Sequence, residues 1–410
     1  MAATPCRFCA APLEHTFLDL GATPLANSYP ADAEEARKEP VHPLHVRVCG
    51  ECLLVQVEHA VAPDEIFAGD YAYLSSYSDS WVAHARRYAK DMIARFSLDS
   101  GSRVVEVASN DGYLLRHFFD RKIAVLGIEP ARNAAEIAES AGIPTEVMFF
   151  NAETAGKLSA AGVKADLMAA NNVLAHVPDI RSFAAGFPEI LKPEGVATFE
   201  FPHLLNLIKQ VQFDTIYHEH YSYLSLNVVE KVFTAVGLRV FDVEELTTHG
   251  GSLRVFACRD DASHEPTGRL ENLRGREREA RLDRLEGHLD FAPRVETVRE
   301  NFRSFLAEAR AAGRKIAGYG AAAKGNTFLN HCGVTASDLV CVVDRNPEKQ
   351  GRLLPGSHIP VRAPEALADV RPDYVVILPW NLTDEVTVSM AHIRDWGGHF
   401  VVAIPELKVF

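Results

Sequence analysis

The sequence predicts an α/β protein built around a doubly wound parallel sheet, with a cysteine-knuckle module before it and a second strand–loop–helix unit after it. Three observations carry this. Arg103–Gly112 (RVVEVASNDG) is a β-branched apolar run ending near Glu106, followed by a small-residue turn and then a helical pattern from Tyr113 to Phe119. That order is how a parallel sheet holds a nucleotide-like ligand. Cys6-Arg-Phe-Cys9 and Cys49-Gly-Glu-Cys52 form a CxxC…CxxC pair. Arg314–Gly325 (RKIAGYGAAAKG) is another strand, glycine loop and helix start. We divide the chain accordingly into residues 1–68, 69–260 and 261–410.

Composition sets the outer limits. The 410 residues are 47% hydrophobic and 24% charged, an ordinary globular balance with room for two or three domains. The formal charge of −13 argues against a nucleic-acid partner, which needs a basic face. No basic region followed by an apolar core opens the chain, and no apolar run is long enough to span a bilayer. The expectation is a cytoplasmic monomer without a membrane partner. Seven cysteines, four of them in the two CxxC pairs, suit a reducing compartment and a metal better than disulfides.

Each knuckle presents two thiolates from a tight turn, and two knuckles complete a tetrahedral zinc shell of Cys6, Cys9, Cys49 and Cys52. Asp19–Arg47 must then loop out and return as strand. Four sulfur ligands leave no open position, so this zinc is expected to be structural; a redox pair is the alternative. Ile66–Trp81 (IFAGDYAYLSSYSDSW) is dense in tyrosine and serine and leads into a helix over Val82–Phe96. Its tyrosines either pack with hydroxyls in water or form a lid or substrate wall, with Tyr71, Tyr73 or Tyr77 turned inward.

In the central part, Ile123–Glu129 (IAVLGIE) is a second strand ending in a carboxylate, placed to accept from both hydroxyls of a ribose. Ala131–Ala141 is helical, Thr145–Phe149 a third strand, Asp166–Ala170 the fourth, Val177–Leu191 a helix and Val196–Phe201 the fifth strand. Asn171 and Asn172 follow the fourth strand, while His176 is expected to cap local structure. Leu238–Glu245 and Ser252–Cys258 then pair as an antiparallel edge.

An insertion, His203–Tyr223, follows the fifth strand, at the edge of the sheet where ligands bind. Within it, Tyr217-His-Glu-His-Tyr-Ser-Tyr223 brings two histidines, a glutamate and three tyrosines into seven residues: a base, its orienter and phenolic donors. A metal on His218 and His220, or a purely structural polar cluster, are the other readings. Ser263–Ala312 reads as solvated, charge-rich connecting helices. In the last unit Leu339–Asp344 is a strand with a terminal acid, and Tyr374–Leu378 and His399–Ile404 are later strands. Its glycines, 318, 320 and 325, do not fit a dinucleotide fingerprint. Lys324 stands where a helix N-terminus would face a phosphate, and a diphosphate suits it better than a redox cofactor. The alternative is a vestigial structural domain. Cys258, Cys332 and Cys341 read as small buried residues.

The loop after Arg103 and the acid at Glu129 resemble motifs I and II of class I S-adenosylmethionine (SAM) methyltransferases. That family usually has glycine where Ala108 and Asn110 stand, so Asn110 needs a left-handed backbone or a polar role towards the ligand. The whole chain resembles the nucleotide-sugar C-methyltransferases, including the C-3 methyltransferases of branched deoxysugars. The resemblance runs through the four knuckle cysteines, Ser75–Trp81, Ser109–Gly112, Tyr217–Tyr221, His249-Gly-Gly-Ser-Leu-Arg254 and Gly318–Asn326. It implies a zinc-binding N-terminal domain, a central SAM domain and a C-terminal Rossmann-like domain that helps bind a nucleotide-diphosphate 4-keto sugar.

For the cofactor it implies Glu106, Ser109, Asn110, Asp111, Gly112, Glu129, Asn171 and Asn172. It implies His220 as base, Tyr77 and Tyr217 as donors or positioners of the sugar, Glu219 as support, and Lys324 and Asn326 as further substrate contacts. The chemistry fits: a C-3 proton beside a C-4 ketone is acidic because the carbanion spreads onto oxygen. Histidine, with an ordinary pKa near ~6.5, is the natural base and phenols are natural enolate donors. O- or N-methylation of a small metabolite, and a non-catalytic zinc-bearing scaffold, are the competing readings.

Overall fold

The computed structural model describes residues 4–59, 61–62 and 74–410. The expected contributions of Tyr71 and Tyr73 fall outside the described residues. Three sheets organise the chain. The central one has seven strands in the spatial order Leu238–Leu246, Ser252–Arg259, Leu191–Pro202, Ala165–Asn171, Arg103–Val107, Ala124–Ile128 and Thr145–Glu146. The last five are parallel, and Ser252–Arg259 runs antiparallel to both of its neighbours. The first strand, Arg103–Val107, is in the middle and β-branched, with Val104, Val105 and Val107 buried. Such a strand is covered on both faces, so its loop must emerge at the carboxyl edge.

The N-terminal sheet pairs His15–Thr23 with His42–Val48 and then Val55–Val57, all antiparallel. Its fourth strand is Ser222–Tyr223, which comes from the insertion more than 160 residues later in the chain. The C-terminal sheet orders Val361–Arg362, Val342–Val343, Ile316–Tyr319, Tyr374–Ile377, His399–Val402 and Lys408–Val409, parallel except for the last.

Two expectations are corrected. The third central strand is only Thr145–Glu146, because the chain leaves the ladder to enter a helix, Ala152–Ala160, capped by Asn151. The charge-rich connection is not merely solvated. Its long helix, Phe291–Ala311, buries Phe291, Val295, Val298, Phe302, Phe305, Leu306 and Ala309. That three-to-four spacing gives one apolar face beneath a charged one. Phe291 stacks on Phe17 of the N-terminal sheet, with ring centroids 4.7 Å apart. One core thus runs from the N-terminal sheet through this helix into the C-terminal sheet. In the shorter helix Gly268–Glu279, the buried Glu277 accepts from the His203 ring at 2.7 Å and from the backbone N–H groups of Leu226 and Asn227. Among the described residues no helix is long and apolar enough to cross a membrane.

Candidate active site

The loop leaving Arg103–Val107 is wound tightly enough to need three left-handed residues, Ala108 (φ 58°), Asn110 (φ 50°) and Gly112 (φ 76°). Asn110 meets the first of the two alternatives, a left-handed backbone, and its Oδ1 accepts from the Ser75 N–H at 2.9 Å. Asp111 accepts from the Ser76 N–H at 3.0 Å. Glu129, at the end of the next strand, accepts from the N–H groups of Asn110 (2.8 Å) and Ala131 (2.9 Å), tying the two loops together. Gly127 permits this approach, since a Cβ there would lie 2.5 Å from the Ser109 hydroxyl.

In and around this loop lie buried polar atoms without a hydrogen-bond partner among the described residues. They are Ser109 Oγ, Asp111 Oδ1 and Asn172 Oδ1, while Glu106 and Asn171 have only the Tyr113 hydroxyl beside them. Burial pushes the Glu106 carboxyl well above its usual range, with help from Glu129 and Asp111, and burial also raises Glu129. Buried polar atoms are costly unless a partner arrives, and these acceptors match the amine and ribose hydroxyls of an aminoacyl nucleoside. The donor set therefore fits SAM.

The four knuckle sulfurs lie within 4.8 Å of one another. The Cys6–Cys52 and Cys9–Cys49 pairs are 3.6 and 3.5 Å apart. That is far beyond a disulfide bond of ~2.05 Å and close to the ~3.8 Å edge of a tetrahedron with ~2.3 Å zinc–sulfur bonds. Gln56 donates to Cys6 Sγ at 3.1 Å, the outer-shell support such ligands usually have. No other such group of potential ligands occurs among the described residues, so the metal reading of His218 and His220 has no third ligand. His218 instead meets the carbonyl of His42 at 3.2 Å.

The insertion folds back over the carboxyl edge of the central sheet. His220 Nδ1 donates to the Thr215 carbonyl at 2.7 Å, which fixes the tautomer and leaves Nε2 as an acceptor, 2.9 Å from the Tyr217 hydroxyl. The His176 ring packs edge-on against His220 at 4.6 Å, so His176 is a wall of this cluster rather than the local cap expected. Burial holds the His220 pKa well below the ordinary histidine value, reinforced by His176, His249 and Lys324. Burial likewise lowers His176, to about 4. Glu219 accepts from Asn27 at 2.6 Å, and burial raises its pKa.

The C-terminal unit completes the cluster. Lys324, on the first turn of the helix Ala323–His331, donates to Asn381 at 2.8 Å and lies 4.9 Å over the Trp380 ring. Trp380 donates from its indole to the buried Asp214 at 2.8 Å. Burial pushes Asp214 up to about 6, against the pull of Lys324 and Trp380. Gly250, beside His249, leaves room for the same indole, because a Cβ there would meet it at 2.4 Å. At the base of the cleft Glu200 accepts from His84 (3.0 Å), Arg254 (2.9 Å) and Thr248 (3.1 Å). Burial would raise Glu200, but His84 and Arg254 outweigh it and hold the carboxyl low.

Two residues expected to touch the substrate have other surroundings in this structure. Tyr77 is 82% exposed, and the backbone N–H groups of its neighbours Ser75 and Ser76 reach the SAM loop. Asn326 is 1% exposed and uses its Nδ2 on the Ala26 carbonyl at 2.7 Å, so it ties the C-terminal unit to the N-terminal one. Asp214, His249, Trp380 and Glu200 were not singled out as site residues. The one sequence signal for them was the His249-Gly-Gly run; the others are recognisable only by their place in the fold.

Comparison with known proteins decides the family. Residues 6–67 match the zinc binding domain, residues 81–243 a methyltransferase domain, and residues 247–405 the C-methyltransferase C-terminal domain. The chain is 36% identical to the C-methyltransferase NovU of Streptomyces niveus over 404 residues, 98% of this chain and 96% of that protein. The protein belongs to the C-methyltransferase family. This C-methyltransferase is SAM-dependent and carries a zinc-binding N-terminal domain. Among solved structures, a Burkholderia thailandensis 1,6-didemethyltoxoflavin-N1-methyltransferase is similar at 16% identity and TM-score 0.36, covering 51% of this chain and 95% of that one. The magnesium protoporphyrin IX methyltransferase of Synechocystis PCC 6803 is similar at 13% identity and TM-score 0.33, covering 48% and 88%.

Proposed function

We propose that this methyltransferase transfers a methyl group to C-3 of a nucleotide-diphosphate 4-keto deoxysugar through an enolate, with His220 as the base. The division of labour follows the domains 1–68, 69–260 and 261–410. The observation that carries the reading is the imidazole of His220, whose Nδ1–H is committed to Thr215 while Nε2 faces a phenol in a site walled by three domains. Its lowered pKa keeps it neutral, and so able to accept a proton, throughout the neutral range.

In this scheme the Tyr217 hydroxyl turns from Nε2 onto the C-4 oxygen, and Nε2 takes the C-3 proton. The electron pair of the C–H bond moves onto the ketone oxygen, where Tyr217 stabilises it. SAM, when bound, would supply an electrophilic methyl to C-3, its sulfur keeping the electron pair of the broken S–C bond and leaving as S-adenosylhomocysteine. Lys324 meets the diphosphate at the helix N-terminus, and its charge also favours the enolate. Glu129 and Glu106 hold the ribose and amine ends of SAM, together with Ser109, Asp111, Asn171 and Asn172.

The test uses S-adenosylhomocysteine in D₂O with a panel of nucleotide 4-keto deoxysugars. The expected result is exchange of the C-3 hydrogen for deuterium, and methylation when SAM replaces the homocysteine. Equal methylation of the 4-hydroxy analogue would overturn the enolate route, since that sugar has no ketone to receive the charge.

A further inference from the structure

The residue following His220 is held by a residue from the start of the chain. Arg7 lies inside the first zinc knuckle, between Cys6 and Cys9. Its Nη2 donates to the Tyr221 carbonyl at 2.7 Å, and both Nη atoms donate to the Val57 carbonyl at 2.6 and 2.7 Å. Its own backbone N–H donates to Gln56 Oε1 at 3.0 Å, and the same carboxamide donates from Nε2 to Cys6 Sγ. Tyr221 is gripped twice more: its carbonyl accepts from the Val57 N–H at 3.1 Å, and its hydroxyl donates to the Val61 carbonyl at 2.6 Å. The strand that follows, Ser222–Tyr223, has only two residues, paired to Gln56 and Val55. So short a strand has little hold of its own.

From this we infer that Arg7 is a positioning residue for His220: the guanidinium carries the rigidity of the zinc knuckle into the backbone of the catalytic segment. The inference rests on the reading of His220 as the base. A planar guanidinium can bridge two carbonyls at fixed angles, whereas an ammonium presents a single compact charge. Losing the bridge loosens the Tyr221 carbonyl, which then keeps only the Val57 N–H. The imidazole keeps its Thr215 contact but no longer a fixed place relative to the substrate. Misplacement of a reacting group by about 1 Å can cost about 10²-fold in rate.

The experiment compares Arg7→Met, Arg7→Lys and Arg7→Ala with wild type in the full-length, zinc-loaded enzyme. Arg7→Met should keep one zinc per chain and the wild-type SAM dissociation constant. Its kcat should fall by about 10–10²-fold with the KM of either substrate little changed, and Arg7→Lys should fall between. Added methylguanidinium should restore part of the lost rate in Arg7→Ala, a response that general loss of stability does not give. The second readout needs no sugar. In ¹⁵N-histidine spectra of the SAM-bound enzyme, the His220 ring signals, assigned by their loss in His220→Asn, should shift or broaden in Arg7→Met. Unaltered His220 signals, or a rate loss that only tracks lost zinc and is not rescued, would overturn the assignment. Failure of wild type to turn over any 4-keto sugar would count against the proposed reaction, while the ring signals still test Arg7.

Discussion

The SAM loop, Ala108–Gly112, and the segment proposed to be catalytic, Asp214–Tyr223, meet at the same edge of the central sheet but are held there differently. The loop is local: its left-handed residues, its bond to Glu129 and its contact with Ser75 and Ser76 lie within about sixty residues of chain. The segment has local bonds of its own, from His220 to Thr215 and Tyr217, but many of its other ties are distant in sequence. Arg7, Asn27, His42 and Val61 hold it from the N-terminal side, Thr327 and Trp380 from the C-terminal side, and His176 from the central domain. A cofactor site can be carried by one supersecondary unit. Here the group assigned to proton abstraction has its tautomer set locally by Thr215, while its surroundings are assembled from three domains. Damage to the first region should therefore show as weaker binding, and damage to the second as slower chemistry.

The largest effect expected is at His220. His220→Asn should lose both C-3 exchange and methylation by about 10²–10⁴-fold, with SAM affinity by calorimetry near wild type. Exchange at the wild-type rate would move the base to Tyr217 or His218. Lys324→Met probes the C-terminal contribution. Charge-assisted contacts are worth about 1.5–3 kcal/mol, so the KM for the sugar should rise about 10–150-fold. The pH profile gives a second sign. The Lys324 cation disfavours protonation of His220 and His249. Removing it lets both histidines protonate at higher pH, so the acid limb of kcat/KM should move upward. A limb that stays in place would separate Lys324 from the histidines.

Glu129→Ala should weaken SAM binding by about tenfold or more, since it removes a charged acceptor and also releases the Asn110 and Ala131 N–H groups. The affinity for the nucleotide sugar should hold, and equal SAM affinity in mutant and wild type would reject the ribose assignment. A gain is expected at Ala108. Ala108→Gly relieves a left-handed conformation worth about 1 kcal/mol and should raise stability or SAM affinity by up to about fivefold. The smallest change belongs to Tyr77→Phe, within about threefold in kcat, because its side chain faces water in this structure. A loss as large as that at His220 would show that Tyr77 turns inward when substrate binds.

Much of this was legible because it is encoded in short stretches. The CxxC pairs specify a tetrathiolate by residue type and spacing. RVVEVASNDG specifies a buried strand, a tight loop and a helix, and the unusual Asn110 announced its left-handed backbone. The Tyr217–Tyr223 run marked itself by composition, although nothing in it revealed that its end would become the fourth strand of the zinc domain's sheet. The connecting helix misled because its arginines and glutamates outnumber its phenylalanines, yet the apolar residues share one face. Asp214, Trp380 and Glu200 carried no local signal, since each is ordinary until the fold surrounds it.

The sequence by itself determined the parts: four zinc ligands, a SAM loop with its acidic partner strand, a histidine and phenols after the fifth strand, and a lysine at a helix start. These depend on backbone geometry and side-chain chemistry within a few residues of one another. Only the tertiary structure decided which of them work together. It buried His220 against His176, which lowers its pKa, and committed one ring nitrogen to Thr215. It left Tyr77 in water and turned Asn326 into an interdomain tie. It also brought Arg7 to the carbonyl of Tyr221, the residue after His220, across more than two hundred residues of chain. Burial, tautomer and electrostatic field are set by every group packed around an atom, and most of those groups are distant in sequence.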